Sequence, residues 1–190
     1  NPSEVKNICM KLYQKMDFQD YLGFKNDLNS WVASHVQELA SEEDAFLKIM
    51  TGEYSFLENL KEILDNFVDE EPILAEYLKK SYDKIDSELR KKIIDSKNIS
   101  VCPYCNRNHI NSTYKILHCN NCNQDLFVID EVKKECPNCK QEIKGPTKVV
   151  NTAQLDHFFP KDSYPLFAVS FYNLIPSCYS CNHVKLNKDL

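Results

Sequence analysis

Eight of the nine cysteines in this chain of 190 residues fall into four Cys-x-x-Cys pairs, and that spacing constrains the fold more than any other feature. The pairs are Cys102/Cys105, Cys119/Cys122, Cys136/Cys139 and Cys178/Cys181, with Cys9 left over. A disulfide framework belongs to exported chains. The N-terminal Asn-Pro-Ser-Glu has neither the basic flank nor the apolar core of a signal peptide, so the expectation is a cytoplasmic chain whose thiols bind zinc. Two Cys-x-x-Cys turns can set four thiolates tetrahedrally around one ion. Cys119/Cys122 and Cys136/Cys139 are thirteen residues apart, with the strand-like run Leu126-Phe127-Val128-Ile129 between them, which reads as a zinc ribbon. Pro137-Asn138 supplies a turn between its ligands. Cys102/Cys105 and Cys178/Cys181, 72 residues apart, are then left to share a second ion that clamps the start of the module to its end. His109 and His118 are substitute ligands that eight cysteines leave spare. Four thiolates close the coordination shell, so both zinc ions are expected to be structural.

Residues 1–98 carry a different signature. Val5, Ile8, Cys9, Leu12 and Met16 keep helical spacing, as do Tyr21, Phe24, Leu28, Trp31, Val32, His35, Val36 and Leu39. Ser41-Glu42-Glu43-Asp44 reads as a cap opening the next helix, and Pro72 suits a first helical turn. A further stripe runs Phe56, Leu57, Leu60, Ile63, Leu64 and Phe67. These stripes read as the core of a helix bundle, with His35 packed among them. Residues 1–100 hold 13 Lys+Arg against 20 Asp+Glu, and residues 101–190 hold 10 against 8. A nucleic-acid surface is locally positive, so the acidic first half is a poor candidate for one, and its acidic residues read as a solvated face or a partner surface. No apolar run reaches the roughly 18 residues that a membrane span needs, and no membrane role is expected.

The chemistry concentrates in Leu155-Asp156-His157-Phe158-Phe159-Pro160, then Asn173-Leu174-Ile175-Pro176-Ser177-Cys178, then Cys181-Asn182-His183-Val184-Lys185. Histidine, with an ordinary pKa of about 6.5, suits the task of taking a proton from water near neutrality. Asp156 supplies a hard oxygen suited to Mg²⁺ or Mn²⁺. Adjacent side chains on an extended strand point to opposite faces, so Asp156 and His157 can serve one site only where the strand bends or ends. Phe159-Pro160 is consistent with such an ending. Lys185 lies three residues past Asn182, on nearly the same helical face, and could hold a phosphate or remain solvated.

This constellation resembles the HNH endonucleases of the ββα-metal class, in the subgroup with Cys-x-x-Cys pairs bracketing the motif. The resemblance covers roughly residues 101–190, apart from the inserted ribbon. It implies that His157 is the general base, that Asn173 orients the histidine and shapes the loop, and that Asn182 joins Asp156 as the second ligand of one catalytic cation. His183 is the rival of Asn182. The implied reaction is hydrolysis of DNA phosphodiesters leaving a 5′ phosphate. The stretch Asp156 to Pro165 also resembles the HNH component of Septu-type anti-phage systems, in which the nuclease works beside an ATPase. The acidic helices would then be the docking surface for that partner.

The expected fold class is α+β, mostly α. A helical domain (1–98) precedes a zinc-stabilised ββα-metal module (99–190), with the ribbon inserted at about 116–144. Strand one is expected over about Val149–His157, a loop over Tyr164–Phe171, strand two near Phe171–Leu174, and a closing helix from about Cys178–Cys181. Two rival functions remain: a zinc-dependent nucleic-acid-binding or scaffold module without catalysis, and a nuclease that cuts RNA, since the chemistry acts on the backbone rather than on bases.

Overall fold

The computed structural model describes residues 1–16, 23–110, 113–128, 135–143 and 147–185. Tyr21, Ile129 and Gly145-Pro146, which figure in the sequence reading, lie outside the described residues. The chain is α+β, with eight α-helices and two small sheets among the described residues.

The first half is helical: α1 (Pro2–Lys15), α2 (Phe24–His35), α3 (Ala45–Thr51), α4 (Tyr54–Leu60), α5 (Phe67–Glu70), α6 (Pro72–Ser81) and α7 (Ser87–Lys97). Their starts follow from capping chemistry. Asn1 caps α1 by accepting from Ser3 N, and Asp86 caps α7 by accepting from Leu89 N at 2.8 Å. Pro72 stands in the first turn of α6, as its missing N–H allows. The cap of α3 is Asp44, whose carboxylate accepts from Leu47 N at 3.0 Å, rather than Ser41. Residues 40–44 are used up in turns after the short 3-10 segment Gln37–Leu39, which moves the helix start. The stripe from Phe56 to Phe67 is likewise broken by turns at 61–66, and Ile63 is exposed. His35 is exposed rather than packed within the core; its ring stacks on Trp31 at 4.0 Å and meets Glu70.

In the second half, β1 (Thr113–Cys119) pairs antiparallel with both β2 (Gln124–Val128) and β3 (Thr147–Asn151), in the order β2-β1-β3. A second hairpin joins β4 (Gln154–His157) to β5 (Leu174–Ser177), with Asp156 opposite Ile175 and His157 opposite Leu174. The helix α8 (Tyr179–Lys185) follows at once. The single strand expected over Val149–His157 is therefore two. The break at 152–153 hands the chain from the ribbon sheet to the β4–β5 hairpin, and Ala153 is buried at the handover. The second strand begins at Leu174, because Phe171–Asn173 is a 3-10 turn in which the Asn173 side chain binds backbone elsewhere. Pro176 is tolerated in β5 because a two-stranded sheet consists of edges.

The apolar interior runs without a break from α1 to the β4–β5 hairpin. Leu12, Phe46, Leu57, Phe67 and Leu78 share one core with Leu155, Phe159, Phe167, Phe171 and Leu174. Polar ties reinforce the seam. Ser170 Oγ donates to Ile49 O, the Lys97 ammonium donates to Phe171 O at 2.7 Å, and Tyr82 OH donates to Leu155 O at 2.7 Å. The ribbon is different. Its Leu117 is buried yet lies outside that core, so its folding leans on whatever its cysteines bind.

A continuous core predicts a single cooperative transition in urea for the zinc-loaded protein. Phe167→Ala, which empties a fully buried position at the seam, is expected to cost about 3–5 kcal/mol. Two separated transitions would show that helices and hairpin hold independent cores.

Candidate active site and metal centres

The cysteines assemble as two groups of four, Cys102/Cys105/Cys178/Cys181 and Cys119/Cys122/Cys136/Cys139, each with all its sulfurs within 4.8 Å of one another. Cys119 and Cys139 sulfurs stand 3.6 Å apart, as do those of Cys122 and Cys136. A tetrahedral ion with metal–sulfur bonds of about 2.3 Å spaces its ligands by about 3.8 Å, so the donor set fits zinc. All nine cysteines are free thiols rather than disulfides. Neither group includes a histidine: His118 pairs with Asp125, and His109 is exposed.

The sequence builds these sites by repeating one local turn. The residue after the second cysteine adopts positive φ in three cases, Asn106 at 49°, Asn123 at 57° and Lys140 at 56°. Its N–H returns to the carbonyl of the first cysteine at 2.8–2.9 Å. The turn aims further N–H groups at sulfur. The amides of Asn108 and Arg107 hold the Cys105 thiol below its usual range, and that of Cys139 does the same for Cys136. The Asn121 side chain and the Gln141 amide pull Cys139 down to about 6. Groups that stabilise thiolate favour metal ligation. The fourth pair makes the same bond, Asn182 N to Cys178 O, but without the positive φ, and the chain continues as α8. Asn108 Nδ2 also donates to Cys178 Sγ at 3.2 Å, tying the first cysteine turn to the last.

This outer cysteine group borders the Asp156-His157 segment. Tyr104, between Cys102 and Cys105, donates its hydroxyl to Asp156 Oδ2 at 2.6 Å. Asp156 is 5% exposed, and its second partner at Oδ2 is the Lys185 ammonium at 3.1 Å. Lys185 also donates to the carbonyls of His157 and Phe158 and is 6% exposed. It is thus not a solvated lysine. Its side chain turns inward because a carboxylate and two carbonyls satisfy its donors there.

His157 faces the other side of β4, and the strand ends with it. The ring packs 4.5 Å from that of Tyr82, and Nε2 lies 2.9 Å from Ala168 O. A carbonyl only accepts, so Nε2 carries the proton and Nδ1 keeps a free lone pair. Burial pushes the imidazole pKa down to about 4, helped by Lys161 and Lys185 and opposed by the Ala168 bond and Asp156. His157 is therefore neutral throughout the physiological range.

Asn173, 1% exposed, makes no side-chain hydrogen bond to His157 among the described residues. Its Oδ1 accepts from Phe159 N at 2.7 Å, and its Nδ2 donates to Phe159 O and Phe167 O. It staples the loop whose next carbonyl, that of Ala168, holds the histidine, so orientation passes through one further link. Asn182 Nδ2 donates to Gln154 Oε1 at 2.7 Å. His183 is exposed and stacks on Tyr179 at 5.8 Å. Among the described residues, Asp156 Oδ1 and Asn182 Oδ1 accept no hydrogen bond, so two hard oxygens remain that suit a divalent cation. Tyr104, Tyr82, Gln154 and the Ala168 carbonyl were not singled out from sequence. For Tyr104 the signal was its place inside a cysteine pair.

No protein-family model and no solved structure matches the chain. Among curated proteins it is similar to Septu protein PtuB of Bacillus thuringiensis, at 33% identity over 64 residues, which are 34% of this chain and 24% of that protein. The match thus spans about a quarter of the relative's length. Among the described residues, no helix is long and apolar enough to cross a membrane.

Two groups of four cysteines predict close to two zinc ions per chain by elemental analysis. A value near one would show that Cys102/Cys105 and Cys178/Cys181 do not share an ion.

Proposed function

We propose that this chain is an HNH-type endonuclease that hydrolyses DNA phosphodiester bonds with one exchangeable divalent cation, in an anti-phage defence setting. The observation that carries the reading is His157: a half-buried imidazole with its pKa lowered to about 4, whose Nε2–H is fixed on a backbone carbonyl, leaving Nδ1 free to accept a proton. It ends a strand of a β-hairpin that runs directly into a helix, beside a carboxylate, within a frame of cysteines.

In this reading His157 Nδ1 takes the proton from the attacking water. The Ala168 carbonyl supports the imidazolium that forms, because it accepts from Nε2–H in both charge states. Asn173 keeps that carbonyl in place through its bond to Phe167 O. Tyr104 and Lys185 fix the Asp156 carboxylate, so that Oδ1 and the Asn182 amide oxygen are the residues that would hold Mg²⁺ or Mn²⁺. When bound, such a cation would stabilise the charge developing on the phosphate and the leaving oxygen. The two zinc ions would be structural, since four thiolates leave no open position.

The defence setting rests on the local similarity to Septu protein PtuB and on the resemblance of the Asp156–Pro165 stretch. It brings with it the proposal that residues 1–98, acidic by seven charges, dock an ATPase partner, while residues 99–190 cut. One observation favours a second reading, a zinc scaffold without catalysis: Asp156 already has an ammonium as counter-ion.

Plasmid nicking in Mg²⁺ or Mn²⁺ separates the two readings. His157→Ala is expected to lower the rate by at least about 100-fold with zinc content unchanged, the usual range for losing a general base. The acid limb of the parental pH profile should fall with an apparent pKa near 4 rather than 6.5, because the depressed pKa keeps the base unprotonated down to that point. Absence of nicking by the parent with every divalent cation would favour the scaffold.

A further inference from the structure

With Lys185 turned inward, a phosphate-cutting site needs its positive charge from elsewhere. The molecule supplies it across the seam between helices and hairpin. Tyr82, immediately after α6, lays its ring 4.5 Å from that of His157 and anchors its hydroxyl on Leu155 O at 2.7 Å. Two cations lie against that same ring. The Arg90 guanidinium, from α7, stands 5.2 Å from the centroid and donates to the Tyr82 hydroxyl at 3.0 Å. The Lys161 ammonium, from the loop just past His157-Phe158-Phe159-Pro160, stands 5.2 Å from the centroid. Both side chains are partly exposed.

Several cations elsewhere are neutralised at short range: Lys15 by Asp86, Lys48 by Glu42, Lys80 by Glu76, Lys91 by Asp95 and Lys92 by Glu88. Among the described residues, Arg90 and Lys161 have no carboxylate partner. Two like charges held on one ring repel each other, and an anion placed between them relieves that repulsion. Beside a base that activates water for attack on a phosphodiester, the anion of matching chemistry is the DNA backbone. Arg90 offers a planar fork of donors for phosphate oxygens, and Lys161 offers a mobile point charge.

We propose that Arg90 and Lys161 form a phosphate clamp mounted on Tyr82, which seats a DNA strand against His157 and makes α7 part of the substrate site. The clamp rests on the nuclease reading, but it makes a binding claim that can be read without catalysis. The helices then do more than dock a partner: they carry half of the contact to substrate.

The test uses the full zinc-loaded chain and a short labelled DNA duplex, without added divalent cation so that nothing is cut. Affinity is measured across a salt series. Arg90→Gln and Lys161→Gln are each expected to weaken binding on the order of tenfold and to lower the slope of log K against log salt by about one; the double variant should lower it by about two. Arg90→Lys and Lys161→Arg, which keep the charge, should restore the slope. Lys91→Gln, already paired with Asp95, is the control. Parental affinity and slope in the double variant would overturn the clamp. So would weaker binding with an unchanged slope, which marks lost packing rather than lost phosphate contact. A charge effect seen with an RNA duplex and not with DNA would overturn the assignment of DNA. If the pair governs binding while the parent never nicks, the clamp stands and the nuclease reading falls. If the parent nicks and the double variant binds and nicks like it, the reverse holds. Lys161→Gln alone lies outside every helix and strand and keeps the test decisive should changes at Arg90 disturb Tyr82.

Discussion

The closure of Cys102, Cys105, Cys178 and Cys181 into one group is the constraint on which the rest of the site depends. It joins two cysteine pairs with 72 residues between them and fixes where α8 begins. That in turn determines where Asn182 and Lys185 stand relative to β4. It also brings Tyr104 onto Asp156 and Asn108 onto Cys178. A hairpin of two four-residue strands has little stability of its own. Four thiolates around one ion supply what the hairpin lacks, and the Asn108 and Arg107 N–H groups already favour the thiolate form at Cys105.

The second support is burial from the helical side. The helices cover the loop between β4 and β5 with a continuous core and fix it by Ser170, Lys97 and Tyr82. Covering the loop also shields His157 in part from water, and this desolvation pulls its imidazole pKa down to about 4. The two faces of β4 thus carry different chemistry. Asp156 sits among charges and the cysteine frame, and His157 sits under Tyr82 against a carbonyl. The end of β4 at His157 is what allows one site to draw on both.

Much of this was legible in the sequence, because metal-ligand spacing and helical periodicity are local. The four cysteine pairs, their sharing between two groups, the helical first half and the helix after Cys178 all follow from spacing. The polar–apolar pattern over Val149–His157 reads as one strand because it does not reveal that the chain changes sheets at 152–153. Ser41 and Asp44 are both capping residues, and tertiary turns decided between them. The carbonyl that holds His157 belongs to Ala168, and a backbone oxygen leaves no mark in a sequence. Spacing sets Lys185 near the helical face of Asn182, but periodicity cannot say that a carboxylate and two carbonyls wait there. Arg90 and Lys161 are ordinary charges in sequence and come together only across the seam.

The most direct measurement is on Cys181→Ser, which opens the outer cysteine group and leaves the ribbon intact. Zinc content and metal-dependent plasmid nicking are read on the same preparation. The account predicts that zinc falls from about two to about one per chain and that nicking is lost with it, because Asp156, Asn182 and His157 no longer keep their mutual positions. Nicking at the parental rate with one zinc per chain would contradict it, since the site would then not depend on the clamp.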